Sequence, residues 1–345
     1  MFPAPIGGIA LPSEFPACIT FIVLYGLLVP VIAYRFWDRR SRTILLIGAV
    51  IAATERTVVL SLRAVGTQRE DFRFSEGLVK YGQTSLGFAF VGIGLDLAGL
   101  LRCLLVNSTY GYGEGGRWDE SPSAATKGSS FRPPSEGDLD RPLERARWRK
   151  VTFCLRVSFL LSNIPGGIAA GMFQKKYFDN MDKARMVCSL RYAGAAIAVA
   201  LIAIVISGAL WSWKRQPRAP PKAIHRILLL SSLILIVGIY RLSVMHYETP
   251  ALESTLPGTL NGHGAKAAFY IFHLLPEWVC LVILLCFNTR KTFGTGPWGD
   301  RRLRDDTPEK IRERMEKKAR HDARNGANSD TERGNTRLTG SAGST

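Results

Sequence analysis

The sequence predicts an all-α polytopic membrane protein built as a bundle of seven transmembrane helices. Apolar residues make up 47% of the 345-residue chain, and they are gathered into seven blocks. Each block has the length, about 20 residues, that crosses a bilayer as a helix. The net charge of +17 comes mostly from Lys and Arg in the connections between blocks and in the C-terminal tail. Apolar spans joined by basic connections are typical of a polytopic membrane protein.

Seven spans follow from the ends of the apolar blocks. They are Phe15–Tyr34, Thr43–Ala64, Val79–Val106, Val151–Phe173, Val187–Trp213, Ile224–Met245 and Ala265–Asn288. The segment 1–14 has no basic residue, so we expect the first span to remain as an anchor and not to leave as a cleaved signal peptide. Small residues of the third span, which is rich in glycine, should allow neighbouring helices to approach closely.

The distribution of basic residues predicts an N-out, C-in orientation. In that orientation the inner segments hold 30 Lys and Arg residues and the outer segments hold 6. Without the C-terminal tail, which is weaker evidence than short loops, the inner segments still hold 16. Asn107-Ser108-Thr109 is a glycosylation sequon, but it lies on the inner side in this orientation and should be unused.

Two regions lack the pattern of a packed element. The inner loop 107–150 mixes Gly, Ser, Pro and charge, and we expect a disordered linker that ends in a basic, Trp-containing collar, RPLERARWRK. The tail 289–345 offers one helix, with Asp306 and Glu309 as a capping box and Pro308 in the first turn. Ile311, Met315 and Ala319 form a thin apolar stripe on that helix, and disorder is expected from Asn325 onward.

Charged and polar residues inside the spans are the candidate site. The seven residues are Glu55, Arg56, Arg63, Asp96, Arg241, His273 and Glu277. His273 lies one turn before Glu277 on the same helical face, and Arg241 should come within reach of Glu277 if the faces of spans six and seven meet. A charge at bilayer depth faces protein or water and not lipid. These residues therefore either line a central polar cavity or form structural salt bridges, and the sequence leaves both open.

Four further arginines lie near span ends, where long side chains are expected to reach out to the headgroups. They are Arg102, Arg156, Arg191 and Arg226.

Motifs for catalysis and for cofactor binding are not found in the sequence. The six cysteines show no metal-ligand spacing and are expected to act as buried apolar residues. Gly92-Ile93-Gly94 lacks the third glycine and the strand context of a nucleotide loop. We therefore expect no enzyme, no metal and no cofactor, and we interpret the basic charge as membrane topology and not as nucleic-acid binding.

Three segments resemble a family of fungal multi-pass membrane proteins known only as a domain of unknown function. Asp96-Leu97 and Arg102 match the spacing of an Asn-Leu pair and a later Arg in that family, with Asp in place of Asn. AKAAFYIFHLLPE, residues 265–277, is similar to the pattern of the family's last helix, and ERTVVLSLR, residues 55–63, looks like its Arg-rich second helix. The resemblance implies a seven-helix fungal protein and brings no activity, cofactor or catalytic residue.

Two function classes remain open at this point. The first is transport, or the handling of a lipid or small molecule, through a polar cavity in the bundle. The alternative is a receptor-like sensor whose inner loop and basic tail bind a cytosolic partner. In both cases the basic inner segments are expected to lie against the anionic inner leaflet of the plasma membrane or of an internal membrane.

Overall fold

Seven helices long and apolar enough to cross a membrane form the bulk of the structure, a computed structural model. The structure describes residues 1–112, 117–178, 180–251, 254, 256, 259–307, 309, 312, 313, 316, 317 and 320. The spans, numbered 1 to 7 below, are Pro12–Trp37, Ile44–Gln68, Glu76–Asn107, Pro142–Gly171, Met181–Arg215, Pro221–Val244 and His263–Cys286. The seven-span, all-α prediction is therefore confirmed. We call the ends of the bundle outer and inner according to the predicted orientation.

The regular α-helix is interrupted near a proline in two of the spans. Span 1 consists of the helices Phe15–Gly26 and Leu28–Trp37, because Pro30 has no N–H to offer the Gly26 carbonyl and its ring crowds that group. Span 7 consists of the α-helices His263–Phe269 and Leu275–Cys286, joined by a wide π-helical turn over Tyr270–Leu274. That turn directly precedes Pro276 and contains His273.

Span 3 is the central helix of the bundle. The most apolar window of this helix is 89% buried, compared with 17–56% for the other six spans. Gly48 of span 2 crosses it at Gly92 so closely that a Cβ at Gly48 would lie 2.3 Å from the Gly92 carbonyl oxygen. Gly94 likewise receives the ring of Phe159 from span 4. The predicted close packing at these small residues is confirmed.

The N-terminal segment fills the outer end of the bundle. Residues 2–10 are buried, and Phe2–Pro3 pairs in antiparallel fashion with Glu248–Thr249. The Gln83 side chain accepts the N–H of Ile6 at 3.0 Å and donates to its carbonyl at 3.1 Å. Segment 1–14 is therefore an outer plug that is held by the spans around it.

The inner loop corrects the prediction of a disordered linker over 107–150. Its described residues 117–141 pack in one layer with residues 289–301, which include the short helix Thr289–Phe293. The Ser130 N–H donates to the Lys291 carbonyl at 2.9 Å, and the Gly296 N–H donates to the Thr126 hydroxyl at 3.0 Å. The prediction failed because hydroxyls and turn backbone satisfy one another here without any apolar periodicity.

The basic collar is also part of the fold, and two of its arginines lie in the interior. Span 4 begins at Pro142, so the collar is the first two turns of this helix. Its Arg145 and Arg149 are fully buried and paired with acids. Asn107 of the sequon is fully buried as well, and its Nδ2 donates to the carbonyls of Phe293 and Gly294.

Residues from Arg302 onward form a separate unit. Within it, Arg302 pairs with Asp306 at 3.1 Å, and Glu309 is helical, as are the other described positions 312, 313, 316, 317 and 320. Pro308, the predicted stripe of Ile311, Met315 and Ala319, and the predicted disorder from Asn325 lie outside the described residues.

Candidate functional site: a buried charge chain and an arginine-lined cleft

Glu277 and Arg56 form a bidentate ion pair in the centre of the bundle. Arg56 Nε lies 2.6 Å from Oε1 and Nη2 lies 2.9 Å from Oε2 of Glu277, and both side chains are fully buried. The fork geometry satisfies both carboxylate oxygens with charge-assisted hydrogen bonds. Direct pairing of Arg241 with Glu277, which the sequence left open, is not seen, because Arg56 of span 2 occupies that place.

His273 connects this ion pair to Arg241. Its Nδ1 lies 3.7 Å from Glu277 Oε2, and its Nε2 lies 3.4 Å from Arg241 Nη1. A guanidinium group can only donate, so Nε2 must accept and the ring proton belongs on Nδ1, which lies near the carboxylate but beyond hydrogen-bond distance. The result is a chain of four buried polar side chains, Arg56, Glu277, His273 and Arg241, contributed by spans 2, 6 and 7.

Glu55, Arg63 and Asp96 do not belong to this chain. Glu55 is half-buried and accepts hydrogen bonds from Tyr81 at 2.6 Å and Ser85 at 3.1 Å. Ser85 also accepts a long bond of 3.4 Å from Arg56, so Glu55 touches the chain only through this hydroxyl.

Asp96 has a capping role at the inner start of span 2. Its two oxygens accept the backbone N–H groups of Gly48 at 3.1 Å and Ala49 at 2.6 Å. These are N–H groups of the first helical turn, which have no partner within their own helix. Gly48 and Arg56 are eight residues apart, or roughly 12 Å along the helix at 1.5 Å per residue. Asp96 therefore stabilises a helix terminus and does not line the central chain.

Arg63 anchors the outer plug together with two residues that the sequence analysis missed. Glu14 accepts Arg63 Nη2 at 2.7 Å and Lys266 Nζ at 2.8 Å. Both cations also donate to backbone carbonyls of residues 7–9 in the plug. The only sequence signal for Glu14 is its spacing from Leu11, whose N–H it accepts at 2.9 Å. Lys266 was overlooked because the alanines around it make the segment look apolar.

An open cleft lies between spans 3, 4, 5 and 6 in the outer half of the bundle. It holds about 540 Å³ of space outside protein atoms. Arg191 and Arg241 line it, and both side chains are buried, with 6% and 8% exposure. Arg191 was expected to reach out to the headgroups. Instead its Nη1 donates to the Ala4 carbonyl at 2.8 Å, so that prediction is wrong for this residue.

Another buried charge cluster closes the inner end. Asp300 lies 2.8 Å from Arg149 Nε and 3.2 Å from Arg102 Nε, and Tyr110 accepts Arg149 Nη2 at 3.1 Å. The prediction that Arg102 reaches out to the headgroups is therefore also wrong. Because each of these charges is paired, the cluster joins residues 289–301 to spans 3 and 4 and has a structural role.

Metal binding finds no support in the described part of the chain, where no group of three or more His, Cys, Asp or Glu residues converges. The described cysteines are free, and Cys18, Cys103 and Cys280 are buried as expected. The expectation is wrong for Cys154 and Cys286, which are exposed, and Cys188 is only partly buried.

Comparison with known proteins gives no match to a family model, a curated protein or a solved structure. The resemblance to a fungal seven-helix family therefore stays a prediction. The fold itself defines an integral membrane protein with seven candidate spans, and the site adds buried charge in the middle of that bundle.

Proposed function

We propose that this membrane protein binds a small molecule or a lipid headgroup inside its helix bundle and moves it across, or presents it within, the membrane. The observation that supports this proposal is the continuity between the outer cleft and the central charge chain. Arg241 lines the cleft and contacts His273, whose other nitrogen faces Glu277. A ligand that engages Arg241 therefore changes the environment of the ion pair at the centre of spans 2 and 7.

The Arg241 end of the chain argues against a purely structural role for the whole site. Arg56 and Glu277 satisfy each other, as a structural salt bridge would. Arg241 has a carbonyl and an imidazole as partners in place of a carboxylate, at 3.1 Å from the Leu86 oxygen and 3.4 Å from His273. Ionisable side chains within a membrane face the bundle interior or a water-filled cavity, and they mark substrate and ion pathways.

A flux assay tests the proposal. The full chain is reconstituted into vesicles, and two rates are measured, the flipping of fluorescent phospholipids and the efflux of trapped small anions. We expect the protein to accelerate at least one rate over protein-free vesicles, and we expect Arg241→Gln to slow it. Arg185→Gln, an exposed arginine at the outer end of span 5, is the matched control. Equal rates with and without protein on every probe would refute a transport role.

A receptor-like role is the second candidate, and the ordered inner layer favours it. Residues 117–141 and 289–301 cover the inner end, and Asp300 ties this layer to spans 3 and 4. A shift of those spans on ligand binding would reach the inner surface through that contact. Proximity labelling from the C-terminal tail tests this, because a sensor should recover a specific cytosolic protein, and recovery of bulk membrane proteins only would count against it.

A further inference from the structure

The buried charges of the outer half do not balance among the residues that the structure describes. Four buried cations occur there, namely Arg56, Arg191, Arg241 and Lys266. Two buried carboxylates face them, Glu14 and Glu277. Glu14 pairs with Lys266 and with the half-buried Arg63, and Glu277 pairs with Arg56. Two arginines therefore remain without an acid, and these two line the cleft.

Each of these arginines keeps a polar atom without a hydrogen-bond partner among the described residues. Arg191 uses Nη1 on the Ala4 carbonyl, while its buried Nη2 has none. Arg241 uses Nη1 on Leu86 and His273, while its buried Nε has none. Arginine keeps its proton in proteins, so it cannot relieve this by becoming neutral. A largely buried guanidinium without a carboxylate beside it is destabilising, which predicts that a partner reaching it through the cleft compensates it.

The space beside the two arginines is kept open by small residues. A Cβ added at Gly166 or at Gly167 would meet no atom within 4 Å, and a Cβ at Gly87 would lie 3.8 Å from Arg241 Nη2. The polar side chains of Ser162 and Asn163 also line the cleft.

We propose that this cleft binds one phosphate or carboxylate group between Arg191 and Arg241, an inference that rests on the proposed function and names its ligand class. The planar guanidinium fork matches the oxygens of either group, which supports an anion over water as the missing partner. Phe88, half-exposed on the apolar surface of span 3, also lines the cleft, so the anion is borne either by a lipid or by a water-soluble molecule.

The test is a binding experiment that does not depend on transport. The full chain, purified in neutral detergent, is titrated with inorganic phosphate, acetate, lysophosphatidate and, as an uncharged lipid without phosphate, a monoacylglycerol. Thermal unfolding and native mass spectrometry report binding. We expect saturable stabilisation by an anion and at least a tenfold loss of apparent affinity in Arg191→Gln and in Arg241→Gln. Arg185→Gln, on the same helix as Arg191 but exposed, should bind as the wild type does.

The outcomes separate the sources and the two proposals. Stabilisation by inorganic phosphate or acetate indicates a water-soluble anion, and stabilisation by lysophosphatidate alone indicates a lipid. Without any anion, Arg191→Gln should unfold at the wild-type temperature or above it, because an unpaired charge is removed. Arg191→Gln is therefore expected to fold, and its anion affinity can be measured even if Arg241→Gln does not fold. Stabilisation no greater than that given by the monoacylglycerol would overturn the inference. Anion binding without flux would support this site and refute transport. Flux without anion binding would support transport and refute this site.

Discussion

Removing one partner of the central ion pair should destabilise the bundle more than removing both. In Glu277→Gln the fully buried guanidinium of Arg56 loses its carboxylate, which it holds at 2.6 Å and 2.9 Å. Arginine cannot release its proton, so the charge stays in the apolar interior. Breaking such a pair from one side typically costs 3–5 kcal/mol, whereas replacing both partners by apolar side chains is often neutral or stabilising.

The size and order of the effects follow from the geometry. Both members are fully buried and the contact is bidentate, so we expect Glu277→Gln to lower the free energy of unfolding by about 3–5 kcal/mol. Arg56→Met should cost less, because the carboxyl group that is left behind can take up a proton and become neutral. The double variant Arg56→Met with Glu277→Leu should recover most of the loss.

The measurement is reversible unfolding by sodium dodecyl sulfate in mixed micelles, followed by circular dichroism for the wild type, both single variants and the double variant. Glu70→Gln, an exposed carboxylate in the short helix Glu70–Arg73, serves as the control and should change little. The reasoning is wrong if Glu277→Gln costs less than about 1 kcal/mol, the value of an exposed pair. It is also wrong if the effects of the two single variants simply add in the double variant.

Three further predictions concern packing and capping. Asp300→Asn removes the carboxylate that lies beside two buried arginines, Arg149 and Arg102, so limited proteolysis should cut the inner loop faster than in the wild type. Asp96→Asn keeps one acceptor oxygen for two backbone N–H groups and should lower the unfolding free energy by about 1–2 kcal/mol, measured in the same detergent titration. Gly48→Ala places a Cβ 2.3 Å from the Gly92 carbonyl and should lower the unfolding free energy by about 1–3 kcal/mol or more. In the control Gly82→Ala the new Cβ meets nothing within 4 Å and should leave the unfolding free energy unchanged. Equal effects of the two substitutions would contradict the close crossing of Gly48 and Gly92.

Each span could be predicted because it is a local property of the sequence. An apolar block of sufficient length forms a helix in lipid whatever its neighbours are, since every backbone group must be bonded within the segment. The bounds of span 5, Met181–Arg215, extend past the predicted Val187–Trp213 because polar helical turns continue beyond the hydrocarbon. The same reasoning identified Glu277 and His273 as a pair on one face, and their contact at 3.7 Å agrees with it.

Pairing between spans could not be predicted in the same way. Arg56 was recognised as a buried cation, yet its partner Glu277 lies 221 residues away, and only the arrangement of spans 2 and 7 brings them together. Arg191 was predicted to reach the headgroups because its contact with the Ala4 carbonyl of the N-terminal plug is not visible in the sequence. The inner loop looked disordered because its hydrogen bonds go to a segment more than 150 residues later.

The amino-acid sequence by itself determined that seven helices cross the membrane and that a handful of charged side chains must turn inward, because lipid solvates neither bare backbone nor ions. Tertiary structure decided which charges neutralise one another and which do not. That choice depends on the rotation and depth of each helix, and these are set by packing at contacts such as Gly48 against Gly92. The sequence shows that the two arginines lie within spans, but only the fold shows that both of them face an open cleft.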